Sequence, residues 1–196
     1  MAVTTVMLCG VGGQGTILAA DVLAKTAAAV GLDVKLSEVH GMAQRGGSVD
    51  TVVRFGDEVF APITDPGGAD HLVAFEMTEA ARRLPYLKPD GRLLVNTRVI
   101  DPLPVLIGAV PPATDLESLL DHEGAVFIDA DAVACEAGSP KSANIVLMGA
   151  LSVGLPFPLD TWQEVITSRV PPKTLEENLR AFVLGRRACE QGACDT

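Results

Sequence analysis

A glycine-rich turn joins a short apolar stretch to a long apolar helix near the start of the chain. Residues 9–15 read Cys-Gly-Val-Gly-Gly-Gln-Gly, so four of the six positions from Gly10 to Gly15 are glycine. Glycine permits positive φ and close backbone approach, while a helix N-terminus presents unpaired N–H groups with a partial positive charge. The turn therefore predicts a site for phosphate, carboxylate or a tightly packed backbone.

The same turn satisfies the dinucleotide fingerprint G-x-G-x-x-G through Gly10, Gly12 and Gly15. In dinucleotide-binding folds, an acidic residue at the end of the second strand holds the ribose about 20 residues beyond the glycines. Glu38 satisfies this spacing. A bare fingerprint also fits a tight strand-to-helix turn that binds nothing, so the pattern alone leaves nucleotide binding and a structural turn open.

Composition narrows the class of protein. The 196 residues are 48% hydrophobic and 20% charged, which is typical of a globular chain with one sizeable core. The net charge of −10 argues against a nucleic-acid or anionic-membrane partner. No apolar run is long enough to span a bilayer, and residues 1–8 read as the approach to a strand rather than as a signal peptide. The cysteine pattern fits a reducing compartment, so we expect a cytoplasmic protein.

Apolar periodicity predicts strands that alternate with helices, which is typical of an α/β sheet covered on both faces. A short link through residues 40–47 suggests one antiparallel strand, and the last third of the chain reads as helical. We expect a single domain over residues 1–196, built as a three-layer α/β/α fold with a mixed, mostly parallel sheet. The predicted strands are residues 3–9, 33–39, 48–55, 71–76, 91–95 and 125–128.

The helix predicted at residues 16–30 is apolar on nearly all sides. Its only charges, Asp21 and Lys25, stand four residues apart and occupy one narrow stripe. One face of a sheet covers about half of such a surface, so we expect this helix to contribute to an interface with another subunit.

A second glycine segment follows the second predicted strand. His40 opens it, and Gln44, Gly46 and Gly47 surround Arg45. We expect both segments at the carboxyl ends of neighbouring strands, where open α/β sheets form clefts. There the guanidinium of Arg45 can bind phosphate or carboxylate, which we favour over a surface salt bridge. His40 could titrate near neutral pH, although a structural histidine is the more common case.

The four cysteines, Cys9, Cys135, Cys189 and Cys194, do not form the close pairs that zinc and iron–sulfur sites use. The sequence predicts no metal site and no cluster in this chain. We expect Cys9 to be a small buried hydrophobic residue, and Cys189 and Cys194 to be free thiols.

The two glycine segments together carry a family resemblance. GVGGQGTILAADVLA, followed by SEVHGMAQRGGSVDTVVRFG, resembles the gamma-type domain of 2-oxoacid:ferredoxin oxidoreductases. Within that family, the motif HGMAQRGG is most similar to the small, or beta, subunits of indolepyruvate ferredoxin oxidoreductases. Residues 140–151, PKSANIVLMGAL, are also similar to the family, so the resemblance runs over most of the chain.

The resemblance implies a subunit that supports coenzyme A-dependent oxidative decarboxylation of a 2-oxoacid, with indolepyruvate or another aryl pyruvate as substrate. The expected products are acyl-CoA, carbon dioxide and reduced ferredoxin. It implies that thiamine diphosphate and iron–sulfur clusters lie on a larger partner subunit, that ferredoxin is reached through the complex, and that coenzyme A is a cosubstrate. It assigns no catalytic residue to this chain.

The residues expected to line the cofactor-binding cleft come from three segments of the chain. They are Gly10, Gly12, Gly13, Gln14, Gly15, His40, Gln44, Arg45, Gly46, Gly47 and Asn144. Two alternatives stay open. One is a self-contained NAD-binding dehydrogenase, or nucleotide-binding module, that uses the fingerprint glycines and Glu38. The other is an assembly subunit without ligand contact.

Overall fold

A computed structural model describes residues 1–41 and 46–193. In this part of the chain six strands form one sheet in the order β2-β3-β1-β4-β5-β6. β3 runs antiparallel to β1 and β2, and the pairs β1–β4, β4–β5 and β5–β6 are parallel. The predicted mixed, mostly parallel sheet is confirmed. The strands are β1 (Thr4–Val11), β2 (Asp33–His40), β3 (Ser48–Gly56), β4 (Ala69–Ala74), β5 (Leu87–Asn96) and β6 (Val126–Ile128).

Helices connect the strands and dominate the C-terminal third, as predicted. The helices are α1 (Thr16–Ala29), α2 (Met77–Arg83), α3 (Leu103–Leu106), α4 (Leu116–His122), α5 (Ala130–Ala137), α6 (Ala143–Ser152), α7 (Leu159–Arg169) and α8 (Leu175–Ala188). None of the helices in the described ranges has the length and apolar character needed to cross a membrane.

β1 lies inside the sheet and is covered on both faces, which explains its unbroken apolar sequence. Val6 and Leu8 face a large core that also contains side chains of α1 and α5–α8. Met7 and Cys9 face the opposite way, into a smaller core with side chains of α2 and α4. The two cores on opposite faces of one sheet confirm the three-layer α/β/α architecture.

α1 is covered by its own chain more fully than the sequence predicts. The sheet packs on one side of the helix, while α6 and α7 pack against it elsewhere. Asp21 makes the expected pair with Lys25 at 3.8 Å and also pairs with Arg169 of α7. Among the large apolar side chains of α1, Ile17 is the exposed one, at 59%. The premise that only one sheet face covers this helix is therefore wrong, and a contribution of its exposed part to a subunit interface stays a prediction.

The chain changes direction between β1 and β4. α1 carries it from β1 towards β2 on the side of the larger core, and α2 carries it from β4 to β5 on the side of the smaller core. In open α/β sheets, a crevice forms outside the carboxyl ends of the strands at such a switch point. The glycine turn after β1 lies at this crevice.

Candidate functional site

The glycine turn is held in a conformation that requires glycine at two positions. Gly13 has φ of 105° and Gly15, the N-cap residue of α1, has φ of 83°. A Cβ on Gly15 would lie 2.6 Å from Nδ2 of Asn144, whereas a Cβ on Gly13 would meet nothing within 4 Å. Asn144 therefore leaves no room for a side chain at Gly15, whereas Gly13 faces open space.

Gln14 uses its side chain to join the ends of two strands. Its Oε1 accepts a hydrogen bond from the backbone N–H of Val11 at 2.6 Å, and its Nε2 donates to the carbonyl oxygen of Phe75 at 3.1 Å. Because Phe75 directly follows β4, this amide fixes the turn after β1 against the end of β4. Gln14 thus shapes the crevice from within the chain.

Asn144 acts in the same way from the first turn of α6. Its Nδ2 donates to the carbonyl oxygen of Gly15 at 3.2 Å, and its Oδ1 accepts from the backbone N–H of Ile145 at 3.0 Å. The residue is only 5% exposed. The Asn144 amide therefore supports the site by holding Gly15. Direct contact of Asn144 with a cofactor stays a prediction.

The two glycine segments meet through their backbones, as the sequence suggests. Gly12 donates to the carbonyl oxygen of Gly47 at 2.8 Å, and Gly46 donates to the carbonyl oxygen of Gly12 at 3.2 Å. We expected the two segments to follow neighbouring strands, but β1 and β2 are not neighbours. β3 lies between them, and its Ser48 pairs with Val11 of β1. Antiparallel pairing of β3 with β1 therefore brings the segments together.

Three residues predicted in the second segment are described only in part or not at all. His40 ends β2 in the structure, and its side chain lies outside the described part of the chain. Gln44 and Arg45 lie outside the described residues altogether. Their roles therefore stay predictions.

A cleft of about 580 Å³ opens beside the glycine turn at the switch point. Gly12, Gly13 and Gln14 line one side of it. The ends of β4 and β5, together with the turn that precedes α6, line the rest through Phe75, Asn96, Arg98, Asp131, Lys141 and others. The cleft therefore combines two long cationic side chains, Arg98 and Lys141, with a glycine-rich backbone.

A buried amide orders the polar side of this cleft. Asn96 donates through Nδ2 to the carbonyl oxygen of Phe75 at 3.2 Å and to Oδ2 of Asp131 at 3.0 Å, and it accepts from the N–H of Ala130 at 3.0 Å. Asp131 in turn pairs with Arg98 at 3.2 Å. Within residues 1–41 and 46–193, the ammonium group of Lys141 has no hydrogen bond or ion pair. Its ammonium group is therefore available to an anionic ligand.

Sequence reasoning missed Arg98, Asp131 and Lys141 as cleft residues. The fold brings them together from three separate segments. The signal for Lys141 was its place in the PKSANIVLMGAL stretch, three residues before the predicted residue Asn144. Arg98 and Asp131 carry no comparable local signal.

A second opening of about 540 Å³ lies on the other side of the glycine turn. Glu38 and Val49 line it together with Gly12, Gly13, Gly15, Thr16 and Ile17. The first turn of α1 contains no acidic residue and its N-cap makes no side-chain hydrogen bond. The first N–H groups of a helix have no partner within the helix, so these groups point towards the opening.

The strand order disagrees with a dinucleotide-binding fold. There the second strand is the parallel neighbour of the first, in the order 3-2-1-4-5-6. Here the antiparallel β3 separates β2, which carries Glu38, from β1. Glu38 still lies beside the glycines, but on an edge strand one position further from β1.

An ionic cluster beneath the second glycine segment was also missed by the sequence analysis. Arg83 of α2 binds Asp50 of β3, with Nε 2.7 Å from Oδ1 and Nη2 2.7 Å from Oδ2. The hydrogen bond that Arg83 donates to Asp50 raises the pKa of Arg83 above its usual value. Glu79 lies in the same cluster and is only 3% exposed. In the sequence, Glu79 and Arg83 look like an ordinary pair on a solvated helix face.

The described cysteines differ in their environments. Burial, followed by the nearby carboxylates of Asp50 and Glu79, raises the pKa of the Cys9 thiol well above its usual value, so the group stays neutral. Cys135 is a free, exposed thiol. Cys189 is disulfide-bonded, so the expectation of a free thiol there is wrong, and Cys194 lies outside the described residues. Within residues 1–41 and 46–193, no three His, Cys, Asp or Glu residues are grouped to hold a metal ion.

Comparisons with known proteins agree with this geometry. The family model described as pyruvate ferredoxin/flavodoxin oxidoreductase matches residues 5–188. Indolepyruvate oxidoreductase subunit IorB of Thermococcus kodakarensis is 42% identical over 193 residues, which cover 95% of this chain and 96% of that protein.

Solved structures share the fold. Pyruvate oxidoreductase subunit PORC from Thermotoga maritima superposes with a TM-score of 0.72 at 25% identity, over 96% of both chains. A 2-oxoglutarate:ferredoxin oxidoreductase from Magnetococcus marinus, solved with 2-oxoglutarate, coenzyme A and succinyl-CoA bound, gives a TM-score of 0.74 at 22% identity. The match covers 96% of this chain and 31% of that one, so there the fold forms part of a longer polypeptide.

Proposed function

Because the chain belongs to the pyruvate ferredoxin/flavodoxin oxidoreductase family, we propose that it is the small, non-redox subunit of a thiamine-dependent 2-oxoacid:ferredoxin oxidoreductase. The proposed substrate is indolepyruvate or another aryl pyruvate. Similarity to an indolepyruvate oxidoreductase subunit at 42% identity, over nearly the whole of both chains, is the observation that carries this proposal.

In the proposed reaction the 2-oxoacid is decarboxylated, its acyl group is transferred to the thiol of coenzyme A, and the electrons pass to ferredoxin. Thiamine diphosphate supplies the carbanion chemistry when it is bound by the larger subunit, and iron–sulfur clusters there conduct the electrons. Such cofactors carry the difficult chemistry, and the protein positions them. This chain contributes binding and shape, and we assign it no nucleophile and no general base.

The cleft at the switch point is the proposed contact with coenzyme A, whose phosphates carry negative charge. Arg98 and Lys141 place two cations in a chain whose net charge is −10. Of these two cleft cations, Arg98 pairs with Asp131, whereas the ammonium group of Lys141 pairs with no carboxylate of the described residues. A phosphate group would gain charge-assisted hydrogen bonds from Lys141 and from the open backbone of Gly13.

The remaining proposed site residues divide into two groups by what their polar atoms do. Gln14 and Asn144 hold the glycine turn, as their hydrogen bonds indicate. Gly12, Gly13, Gly15, Gly46 and Gly47 shape the ligand-facing backbone, and Gly10 lets the turn close against Phe75, whose Cβ would lie 2.8 Å from a Cβ on Gly10. His40, Gln44 and Arg45 complete the proposed set.

The larger, thiamine- and cluster-bearing subunit is the proposed partner. Exposed apolar side chains on α3 and at its C-cap support such a contact, since Leu103, Ile107 and Leu106 are 68%, 69% and 70% exposed. Apolar side chains grouped at this level of exposure typically mark a protein interface. The proposal also includes a cytoplasmic location and one gamma-type domain that spans residues 1–196.

A dehydrogenase that binds NAD by itself is the second function that an observation favours, because Glu38 lines an opening with the fingerprint glycines. The antiparallel β3 and the family match speak against it. Calorimetric titration of the chain with NAD separates the two functions. The dehydrogenase requires saturable NAD binding by the isolated chain, and the subunit requires none.

Co-purification tests the proposed function directly. The tagged chain, expressed in the cells that make it naturally, should bring down a larger brown subunit that contains thiamine diphosphate. The complex should reduce ferredoxin with indolepyruvate only when coenzyme A is present. Recovery of the chain alone, with NAD bound, would overturn the proposal.

A further inference from the structure

α2 is tied to the start of β3 by a cluster of charged and polar side chains, Ser48, Asp50, Glu79 and Arg83, which we term the α2 cluster. The hydroxyl of Ser48 donates to Oε2 of Glu79 at 2.5 Å and accepts from Nη2 of Arg83 at 3.2 Å. Nε of Arg83 donates to Oδ1 of Asp50 at 2.7 Å. Two successive positions on one face of β3, 48 and 50, are therefore held by one helix.

This polar cluster lies beside an apolar part of one face of the sheet. On the neighbouring β1, the same face carries the buried side chains of Met7 and Cys9. Glu79 is almost fully buried, and a buried carboxylate loses hydration that only close partners offset. Arg82 supplies one such partner at 2.6 Å from Oε1 of Glu79. Sequences tend to depart from simple apolar packing where a site must be held in one geometry.

The cluster lies directly behind the paired glycine segments. Ser48 follows Gly47, whose carbonyl oxygen accepts the N–H of Gly12 at 2.8 Å, and the N–H of Gly46 returns to the carbonyl oxygen of Gly12 at 3.2 Å. A continuous path of hydrogen bonds and one peptide link thus connects Glu79 with the glycine turn. Glycine segments have high backbone freedom, so they hold a single geometry only when neighbouring residues fix them.

We propose that Glu79 and Ser48 are positioning residues, which hold the two glycine segments together before the ligand binds. Arg83 and Asp50 complete the support from the next position of β3. The role is to reduce the ordering that the ligand must impose on the glycine backbone, which is the general advantage of a preorganised site. The identity of the ligand, coenzyme A, rests on the proposed function above, whereas the positioning itself does not.

Substitutions at Ser48 test this role with small changes in volume. Ser48→Ala removes the hydroxyl that Glu79 and Arg83 share, and Ser48→Thr retains it. Ser152→Ala is the matched control, because the hydroxyl of Ser152 also accepts from an arginine, Arg186, at 2.9 Å. The control removes a similar hydrogen bond on α6, outside the α2 cluster.

Amide hydrogen exchange on the full-length chain gives the first readout, and it is independent of any activity. In Ser48→Ala, the amides of Gly12 and Gly46 should exchange roughly tenfold faster than in the wild type. Ser48→Thr and Ser152→Ala should leave the exchange of these two amides unchanged. Unchanged exchange in Ser48→Ala, or equal acceleration in Ser152→Ala, would overturn the proposal.

Kinetics of the assembled enzyme give the second readout. Ser48→Ala should raise KM for coenzyme A roughly tenfold with kcat nearly unchanged, and Ser48→Thr should restore the wild-type KM. Glu79→Gln, which keeps the shape and removes the charge, should give an intermediate KM. A fall in kcat alone would overturn the role in binding. If the wild-type complex oxidises no 2-oxoacid, the proposed function fails, and the exchange measurement still decides whether these residues position the glycines.

Discussion

Replacement of Gly13 by valine separates backbone strain from the loss of an external contact. Gly13 has φ of 105°, and a Cβ there would meet nothing within 4 Å. Gly31, which follows α1 at its other end, offers a matched control, with φ of 86° and equally open space around a Cβ. The two substitutions therefore impose similar strain at opposite ends of one helix.

The magnitude follows from this geometry. A residue other than glycine at such positive φ costs about 1–3 kcal/mol. No clash with the described residues adds to that cost at either position. For a chain of this length, each kcal/mol lowers the melting temperature by about 2–4 °C. We therefore expect Gly13→Val and Gly31→Val to lower the melting temperature by similar amounts, on the order of 3–10 °C.

The assay that distinguishes them uses the assembled enzyme. If the backbone of Gly13 approaches the larger subunit or the ligand closely, Gly13→Val should weaken subunit affinity or coenzyme A-dependent turnover by about tenfold or more, or about 1.4 kcal/mol. Gly31→Val should assemble with wild-type affinity and turn over normally. Wild-type affinity and full activity of Gly13→Val would refute the reasoning, and would leave a plain strand-to-helix turn.

Three further outcomes are expected. The purified chain should be colourless and should oxidise no 2-oxoacid by itself, so visible iron–sulfur absorption would contradict the subunit role. Arg45→Ala should lower turnover of the complex without change in the circular dichroism of the chain, because loss of a charge-assisted hydrogen bond costs about 1.5–3 kcal/mol; wild-type KM and turnover would exclude a binding role. Gly15→Ala should lower the melting temperature more than Gly31→Ala, because its Cβ would lie 2.6 Å from Nδ2 of Asn144; equal melting temperatures would contradict that packing.

The elements of the fold were largely predictable because they depend on local patterns. The unbroken apolar run of β1 indicated a buried strand, and the short link between the second and third strands indicated an antiparallel pair. Strand order was not predictable in the same way. Insertion of β3 between β1 and β2 depends on pairing between residues far apart in the chain, such as Val11 with Ser48.

The cover on α1 illustrates the same limit. The sequence indicated that one face of a sheet could not cover all of the apolar surface of this helix. The sheet does cover only one side of α1. The missing cover comes from α7, whose Arg169 pairs with Asp21 across 148 residues. The local periodicity of the sequence cannot predict a contact between residues so far apart in the chain.

The candidate site was predictable where glycine itself carried the signal. Positive φ at Gly13, Gly15 and Gly46 follows from the same conformational need that singled out these segments. Glu79 and Arg83, which support the second segment through Ser48 and Asp50, were not predicted. Their orientation depends on which face of the sheet α2 covers, and that is fixed only by the tertiary fold.

Reconstitution of the enzyme from separate subunits tests the central claim most directly. The larger subunit should be assayed for coenzyme A-dependent reduction of ferredoxin by indolepyruvate, alone and after addition of this chain. We expect little activity from either subunit alone and a rise in activity that saturates as this chain is added. Full activity of the larger subunit without this chain, or no activity with it, would contradict the claim.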